Sequence, residues 1–334
     1  MKKSVCLPFF VLLAAIFSFI GCQRSNLAGD SGVVNLIFSN ITSESGVIAV
    51  ERFVEMAERY SGETLNISVY QSNLLGDDRS VIDATRMGDI HIAVSSTSPL
   101  ATIQPDLFLF DAPFLFLDSQ AAHNGMDGPV GQSILDGFER VGLKGLAFWE
   151  NGFRNFTNNR VIVRTPADVR DLKLRTMENE VHIAAWRAFG ANPAPLPFIE
   201  LFAALQNGIF EAQENPLGII DANKLYEVQR HISITQHVYT PYIMLMNLRK
   251  FESLTPVQQQ AILRAAEVST TYQRKRSAYI EERVLLNLDS AGVVITKPTI
   301  DERAMFRQLI IENRIYDLIR ARMDNPQLLD QLLQ

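Results

Sequence analysis

A chain of 334 residues is long enough for two domains of about 100–200 residues each, and two lobes would supply a cleft. Apolar residues make up 47 % and charged residues 20 %, the balance of a folded globular protein, which excludes disorder and a multi-span membrane protein. The formal net charge is -6, and no run of Lys or Arg interleaves with aromatics, so the basic footprint that nucleic acid requires is missing.

Taken in chain order, the first segment is an export signal. Lys2 and Lys3 precede an apolar run from Val5 to Ile20 that ends at Gly21-Cys22, giving a basic start, an apolar centre and a small residue before the cut. The placement of Cys22 resembles a bacterial lipobox, in which that cysteine is acylated and becomes the first residue; Phe19 departs from the usual Leu three positions earlier. The competing reading is an uncleaved membrane anchor, because the run approaches the minimum spanning length of about 17 residues. Residues 1–21 are therefore expected to be a lipoprotein signal peptide and residues 22–32 a tether, with the rest lipid-anchored outside the cytoplasm, on the inner or the outer membrane. No cysteine follows Cys22, which excludes a disulfide or a cysteine metal site from the domain. Without Lys2 and Lys3 the basic count falls from 31 to 29 against 37 acids, a charge of -8.

Val33 to Phe38 is a short β-prone run, followed by the helix starters Thr42, Ser43 and Ser45 and by Val50, Phe53, Val54 and Ala57 at helical spacing. Leu65, Ile67 and Val69 alternate with polar residues, Asp77-Asp78 can cap a helix through Met87, and Ile90, Ile92 and Val94 form a strand ending in Ser95, Ser96 and Thr97. This rhythm predicts a parallel α/β sheet. Leu107 to Leu117 is too short to span a membrane and reads as a buried connection. A second α/β unit follows, with strands near Lys144–Trp149 and Leu172–Thr176 and helices near Val181–Phe189 and Ile199–Gln206. Thr255-Pro256 starts a helix that continues to about Leu288, a rod of about 45 Å that can cross two lobes. Val293 to Thr296 is a late strand and Asp301 to Met323 a single final helix.

No enzyme motif is present. Gly131-Gln-Ser133-Ile-Leu135 lacks the second glycine of a nucleophile elbow, and the chain has no phosphate loop, no glycine-rich dinucleotide turn and no His-Glu-x-x-His. The five histidines, His91, His123, His182, His231 and His237, show no ligand spacing, and Glu178 and Glu180 diverge if they lie on a helix. No catalytic residue, cofactor or metal is expected.

The stretch from Gly152 to Asn215 carries the functional signal. Arg175 ends the Leu172, Leu174 strand, where α/β sheets present residues to a crevice, and Arg154 follows Trp149-Glu150-Asn151-Gly152. Charge alone leaves each arginine equally suited to a structural ion pair and to a carboxylate ligand, whose geometry the guanidinium fork matches. Their surroundings are more specific: Asp171-Leu-Lys-Leu-Arg175, Gly190-Ala191, Pro195-Leu-Pro-Phe198, Glu200-Leu-Phe-Ala-Ala-Leu-Gln-Asn-Gly208, Gln213-Glu-Asn-Pro216 and Lys224-Leu-Tyr-Glu-Val-Gln229, with His237 beyond and Leu75-Gly-Asp-Asp-Arg79 before. In this order the motifs resemble the DctP family, the solute-binding proteins of tripartite ATP-independent periplasmic (TRAP) transporters, over about residue 33 to the end.

The resemblance implies an α/β two-lobe periplasmic binding protein fold with a long helix crossing both lobes, residues 33–151 and 241–281 in one and 152–240 and 282–334 in the other. It implies that Arg175 makes the principal bidentate contact with a ligand carboxylate, that Asn215 positions it, that Arg154 adds a second polar contact and that Phe198 walls the pocket, with Asn40 and Ser96 reaching the ligand from the first lobe. Periodicity alone would put Phe198 in the core. Two departures stand out: Glu211-Ala212 replaces Asp-Gly and is expected to alter the turn before Asn215, and Ser95-Ser96 replaces larger groups, leaving room for a more apolar ligand tail. The implied function is capture of a small organic acid and delivery to the small and large membrane subunits of an ion-driven permease, with a helical-repeat partner in some relatives. The alternative is a sensory lipoprotein that presents its closed form to a receptor.

Overall fold

The computed structural model describes residues 33–333 apart from Thr42 and Ser72; the expected signal peptide, Cys22 and the tether lie outside the described residues. The first unit follows the sequence closely, as β1 (Val34–Asn40), α1 (Glu44–Tyr60), β2 (Leu65–Gln71), α2 (Asp78–Met87) and β3 (Ile92–Ser96). Strand β1 pairs in parallel with both β2 and β3, as helical crossovers dictate. The run around Leu107 is a buried connection, a 3₁₀ helix over Pro105–Asp111, and α3 (Ser119–Asp127) and α4 (Pro129–Gly137) follow.

The centre of the sheet departs from expectation. Instead of a short strand ending at Trp149, β4 runs from Leu143 to Asn158. After β5 (Lys173–Thr176), α5 (Glu180–Ala188), β6 (Asn192–Pro195), α6 (Leu201–Gln206), β7 (Ala212–Pro216) and α7 (Leu217–Ala222), the chain forms β8 (His231–Asn247), a second long strand that no sequence pattern predicted. The two long strands pair antiparallel, with register breaks at Gly145/Ala147, Glu150/Gly152 and Arg154/Phe156. The resulting order is β2-β1-β3-β8-β4-β7-β5-β6, with β9 (Val294–Thr296) on β8, so β4 and β8 are shared by the α/β units on either side. The middle break accommodates Pro241, which sits opposite Glu150 and cannot donate to a ladder, and Gly152, whose φ of 113° suits a residue without a side chain.

The remaining helices are α8 (Leu248–Glu252), α9 (Pro256–Ser290), α10 (Ile300–Glu312), α11 (Ile315–Arg322) and α12 (Gln327–Leu332). Helix α9 begins where Thr255 and Gln258 cap each other, Gln258 N donating to Thr255 Oγ1 at 3.3 Å and Thr255 N to Gln258 Oε1 at 3.0 Å. Its 35 residues make a rod of about 52 Å. Ile262, Ala265 and Ala266 pack into one core with Val50, Phe53 and Ala57 of α1, whereas Ile280, Val284 and Leu288 pack into another with Leu201, Leu217 and Ile220. The helix thus crosses both lobes, as expected. The single helix expected over Asp301–Met323 is instead two, because Arg314 takes a left-handed φ of 55° and redirects the chain so that Ile315 and Ile319 join Phe306 and Ile310 in the core.

Gln273, fully buried on α9, ties this rod to the sheet at the central break. Glu150 N donates to Gln273 Oε1 at 2.8 Å, and Gln273 Nε2 donates to Glu150 O at 2.7 Å and Ser45 Oγ at 3.1 Å. Leucine at position 273 strands both backbone groups of Glu150. Denaturant unfolding is expected to show Gln273→Leu destabilised by about 2–4 kcal/mol, and Gln260→Ala, on the exposed face of the same helix, within about 0.5 kcal/mol of the parent.

Candidate functional site

A cavity opens between the two halves of the sheet. One side is formed by Asn73, Asp77 and Asp78 around the start of α2 and by Ser96 at the end of β3. The other presents Arg154 from β4, Arg175 from β5, Asn215 from β7 and Phe198 from the loop before α6. Five of the six expected pocket residues therefore meet here. Asn40 does not: it is buried at the end of β1, its Nδ2 donates to Gln71 Oε1 at 2.6 Å, and the next residue, Ile41, forms the wall instead.

Arg175 is the most telling of these side chains. It is 2 % exposed, and its Nε and Nη2 both donate to Leu196 O, at 2.8 and 2.6 Å. Nη1 is buried without a hydrogen-bond partner, and among the described residues no carboxylate forms an ion pair with Arg175. Loss of water, and then the neighbouring charge of Arg154, push its pKa down to about 10, so it remains a cation at neutral pH. A buried cation lacking an anion is unfavourable by several kcal/mol and invites one.

Arg154 has the opposite environment. Also fully buried, it forms a fork-to-fork pair with Glu214, Nε lying 2.5 Å from Oε2 and Nη2 2.9 Å from Oε1, while Nη2 also donates to Asn215 Oδ1 at 3.2 Å. Asn215 Nδ2 donates to Gln213 Oε1 at 2.6 Å, which fixes the amide's orientation. Only Nη1 of Arg154 lacks a partner. The guanidinium expected to add a second polar contact is thus braced within the fold, with one nitrogen to spare.

Behind the pair lies a network that residue spacing could not reveal. His237 Nε2 donates to Glu214 Oε2 at 3.1 Å, and His182 bridges Asp111 Oδ1, at 2.9 Å from Nε2, and Glu214 Oε1, at 3.8 Å from Nδ1. Asp111 also accepts from Ser98 Oγ and from Asn179 Nδ2 at 2.7 Å, joining the turn after β3 to the start of α5. Burial alone would raise the pKa of Glu214, but the charge of Arg154 and hydrogen bonds from both histidines hold it well below the usual carboxylate range. His182 moves the other way: burial opposes its charge, yet Asp111 and Glu214 together raise it to about 9. Burial lowers the pKa of His237 despite Glu214. The one available sequence signal was Glu214 itself, an acid inside a short strand with every residue buried, which must be paired.

Both expected departures resolve differently in three dimensions. Ala212 opens β7 without a positive φ, and Glu211 N donates to Lys173 O at 2.8 Å, so no turn there needs glycine. At Ser95 and Ser96 the wall gains a carboxylate, since Ser95 Oγ and Ser96 N each donate to Asp78 Oδ1 at 2.8 Å. Asp78, Asn151, Met177 and Tyr242 are wall residues that the sequence reading did not single out.

Residues 39–316 match bacterial extracellular solute-binding protein family 7, DctP. The 2,3-diketo-L-gulonate-binding periplasmic protein YiaO of Escherichia coli is 35 % identical over 293 residues, covering 88 % of this chain and 87 % of its own length. The sugar acid binding protein DctPAm of Advenella mimigardefordensis, solved with galactonate, superposes with a TM-score of 0.86 at 32 % identity, over 90 % of this chain and 97 % of that one. A TRAP periplasmic solute-binding protein of Polaromonas, solved with D-erythronate, gives 0.85 at 31 % identity, over 90 % and 98 %.

The elevated pKa of His182 has a defined consequence for stability. A folded pKa of about 9 against about 6.5 in the unfolded chain makes its stabilisation complete below about pH 6.5 and lost as pH rises through about 9. The stability advantage of the parent over His182→Gln, read from denaturant midpoints, is expected to shrink by about 3 kcal/mol between pH 6 and pH 10. A difference independent of pH would contradict the charged state assigned to His182.

Proposed function

The chain belongs to the DctP family of bacterial extracellular solute-binding proteins, and we propose that it captures a hydroxylated monocarboxylic acid through Arg175. Family members are transporter components rather than enzymes, and this chain is a solute-binding protein of the TRAP type, serving membrane permease subunits. The observation that carries the ligand assignment is Arg175: buried, charged, braced by Leu196 O and without an anion of its own. A ligand carboxylate supplies that anion, with Nη1 of Arg154 and the oriented amide of Asn215 beside it and Phe198 against the tail. The three relatives named above are described with 2,3-diketo-L-gulonate, galactonate and D-erythronate, each an acid with one carboxylate and a chain of hydroxyls.

Capture of the acid favours closure, because only the closed cleft lets both lobes contact it. The lobes in this reading are residues 33–151 with 241–281 and residues 152–240 with 282–334. The closed form then docks on the permease, and Cys22 tethers the protein to the membrane by its lipid after the signal is removed. A helical-repeat periplasmic partner belongs to the same reading. Mass measurement of the exported protein tests the anchor: a diacylglyceryl mass on a chain beginning at Cys22 supports it, and a chain retaining residues 1–21 refutes it.

The two arginines separate ligand binding from stability. Calorimetric titration with D-galactonate is expected to show at least about a 100-fold loss of affinity in Arg175→Ala, while the apo protein is no less stable than the parent. Arg154→Ala, which strands buried Glu214, is expected to destabilise the apo protein by about 3–5 kcal/mol. Unchanged galactonate affinity in Arg175→Ala would overturn the clamp assignment.

A further inference from the structure

Helix α9 carries an apolar stripe that its own chain leaves uncovered. The inner face of the helix is committed to the two cores it joins, whereas Tyr272, Tyr279 and Leu286 are 42, 53 and 72 % exposed. They recur every seven residues. A straight α-helix drifts by about 20° per heptad, so the three side chains stay on one outward face over about 21 Å of axis. Arg276 lies over the Tyr279 ring, 5.0 Å from its centroid, and 3.5 Å from Glu44 Oε1. No residue of α9 lines the cavity, so this face is separate from the binding site.

The charges on that face are as ordered as the apolar groups. Lys275 stands four residues before Tyr279 and Glu282 three residues after it; both are exposed, and among the described residues neither forms a hydrogen bond or an ion pair. Seven residues apart, the two are beyond the reach that joins charges three or four apart on one helix. An antiparallel copy of the same helix supplies each with its partner. With a two-fold axis passing between residues 278 and 279, Lys275 of each copy faces Glu282 of the other, Tyr272 meets Leu286, and Tyr279 packs on the small, exposed Ala278. A parallel pairing would instead set Lys275 against Lys275 and Glu282 against Glu282, which repulsion disfavours.

We infer that the outer face of α9 is a dimer interface, on which a second copy of this chain packs antiparallel about the Ala278–Tyr279 step. Helices paired in this way cross at about 20° and interdigitate along a narrow seam. The seam is short, which places the dimer among weak associations that bury under about 1,200 Å². Because the stripe and both free charges belong to one helix, the contact leaves the two cavities clear.

Sedimentation velocity of the exported protein from about 1 to about 200 μM is expected to show a monomer–dimer equilibrium. Lys275→Glu and Glu282→Lys each set like charges face to face at both ends of the seam and are expected to weaken the dimer by at least about 10-fold. The double variant Lys275→Glu with Glu282→Lys re-forms the pairs in reverse and is expected to return to within about 3-fold of the parent. Unchanged melting temperatures in these exposed-site variants separate loss of the interface from loss of the fold. Ala278→Cys tests the register: beside the two-fold axis, it is expected to give a disulfide-linked dimer on export, whereas Gln260→Cys, exposed on the same helix, is not. A protein that stays monomeric throughout the range overturns the interface. So does a dimer that is indifferent to both charge reversals, or one that the double variant fails to restore.

Discussion

A guanidinium buried beside another guanidinium, one paired and one not, is the constraint on which this molecule turns. Arg154 has Glu214 as a fork-to-fork partner, and Glu214 is braced in turn by His237 and His182, so this charge is balanced within the fold. Arg175 has a single carbonyl oxygen, that of Leu196, which orients it without neutralising it. The network behind Arg154 serves Arg175 as well. Were Glu214 free to swing toward Arg175, the site would satisfy itself and the ligand would have to compete with an internal anion. The two histidines and Arg154 occupy both oxygens of Glu214 and hold it where it is.

The fold makes this arrangement possible by running two long strands through the whole sheet. Strand β4 carries Arg154 at one of its register breaks, β7 sets Asn215 beside it, and β5 brings Arg175 to the same edge of the cavity. The breaks at Glu150/Gly152 and Arg154/Phe156 interrupt β4 where the two α/β units meet, and helix α9 spans the same junction from outside, fastened there by Gln273. Rigid units joined by continuous elements suit a binding protein, because contacts that a ligand adds across the cleft shift the balance between open and closed forms. The buried link from Ser98 and Asp111 to Asn179 and His182 already joins the turn after β3 to the start of α5 beneath the cavity.

The first α/β unit was legible because its strands have one polar face or clear flanking turns, and its helices have marked caps. Helix α9 was legible for the same reason, since Thr255, Pro256 and Gln258 announce its start. The long central strands were not. From Phe153 to Asn158 and from His237 to Asn247 every residue is buried, which erases the alternation that marks a strand, and Pro241 argues against one outright. At the site, motif order brought Arg175, Asn215, Arg154, Phe198 and Ser96 to one cavity, while Asn40 lies one position before the wall residue Ile41. The partners of Glu214 lie 60, 32 and 23 residues away in sequence at Arg154, His182 and His237, so only the folded chain could reveal which arginine was already satisfied. Asp78 was hidden in another way: a helix-capping role explained Asp77-Asp78 as a pair, and only the serines of β3 distinguish the second acid from the first.

The central claim is that Arg175 is completed by the ligand's carboxylate, and a crystal structure of the protein with D-galactonate tests it most directly. The account predicts the carboxylate within hydrogen-bonding distance of Arg175 Nη1, with Asn215 beside it and the Arg154–Glu214 pair unbroken. A galactonate seated with its carboxylate away from Arg175, or an Arg175 that turns to pair with Glu214 or Asp78 in the complex, would contradict it.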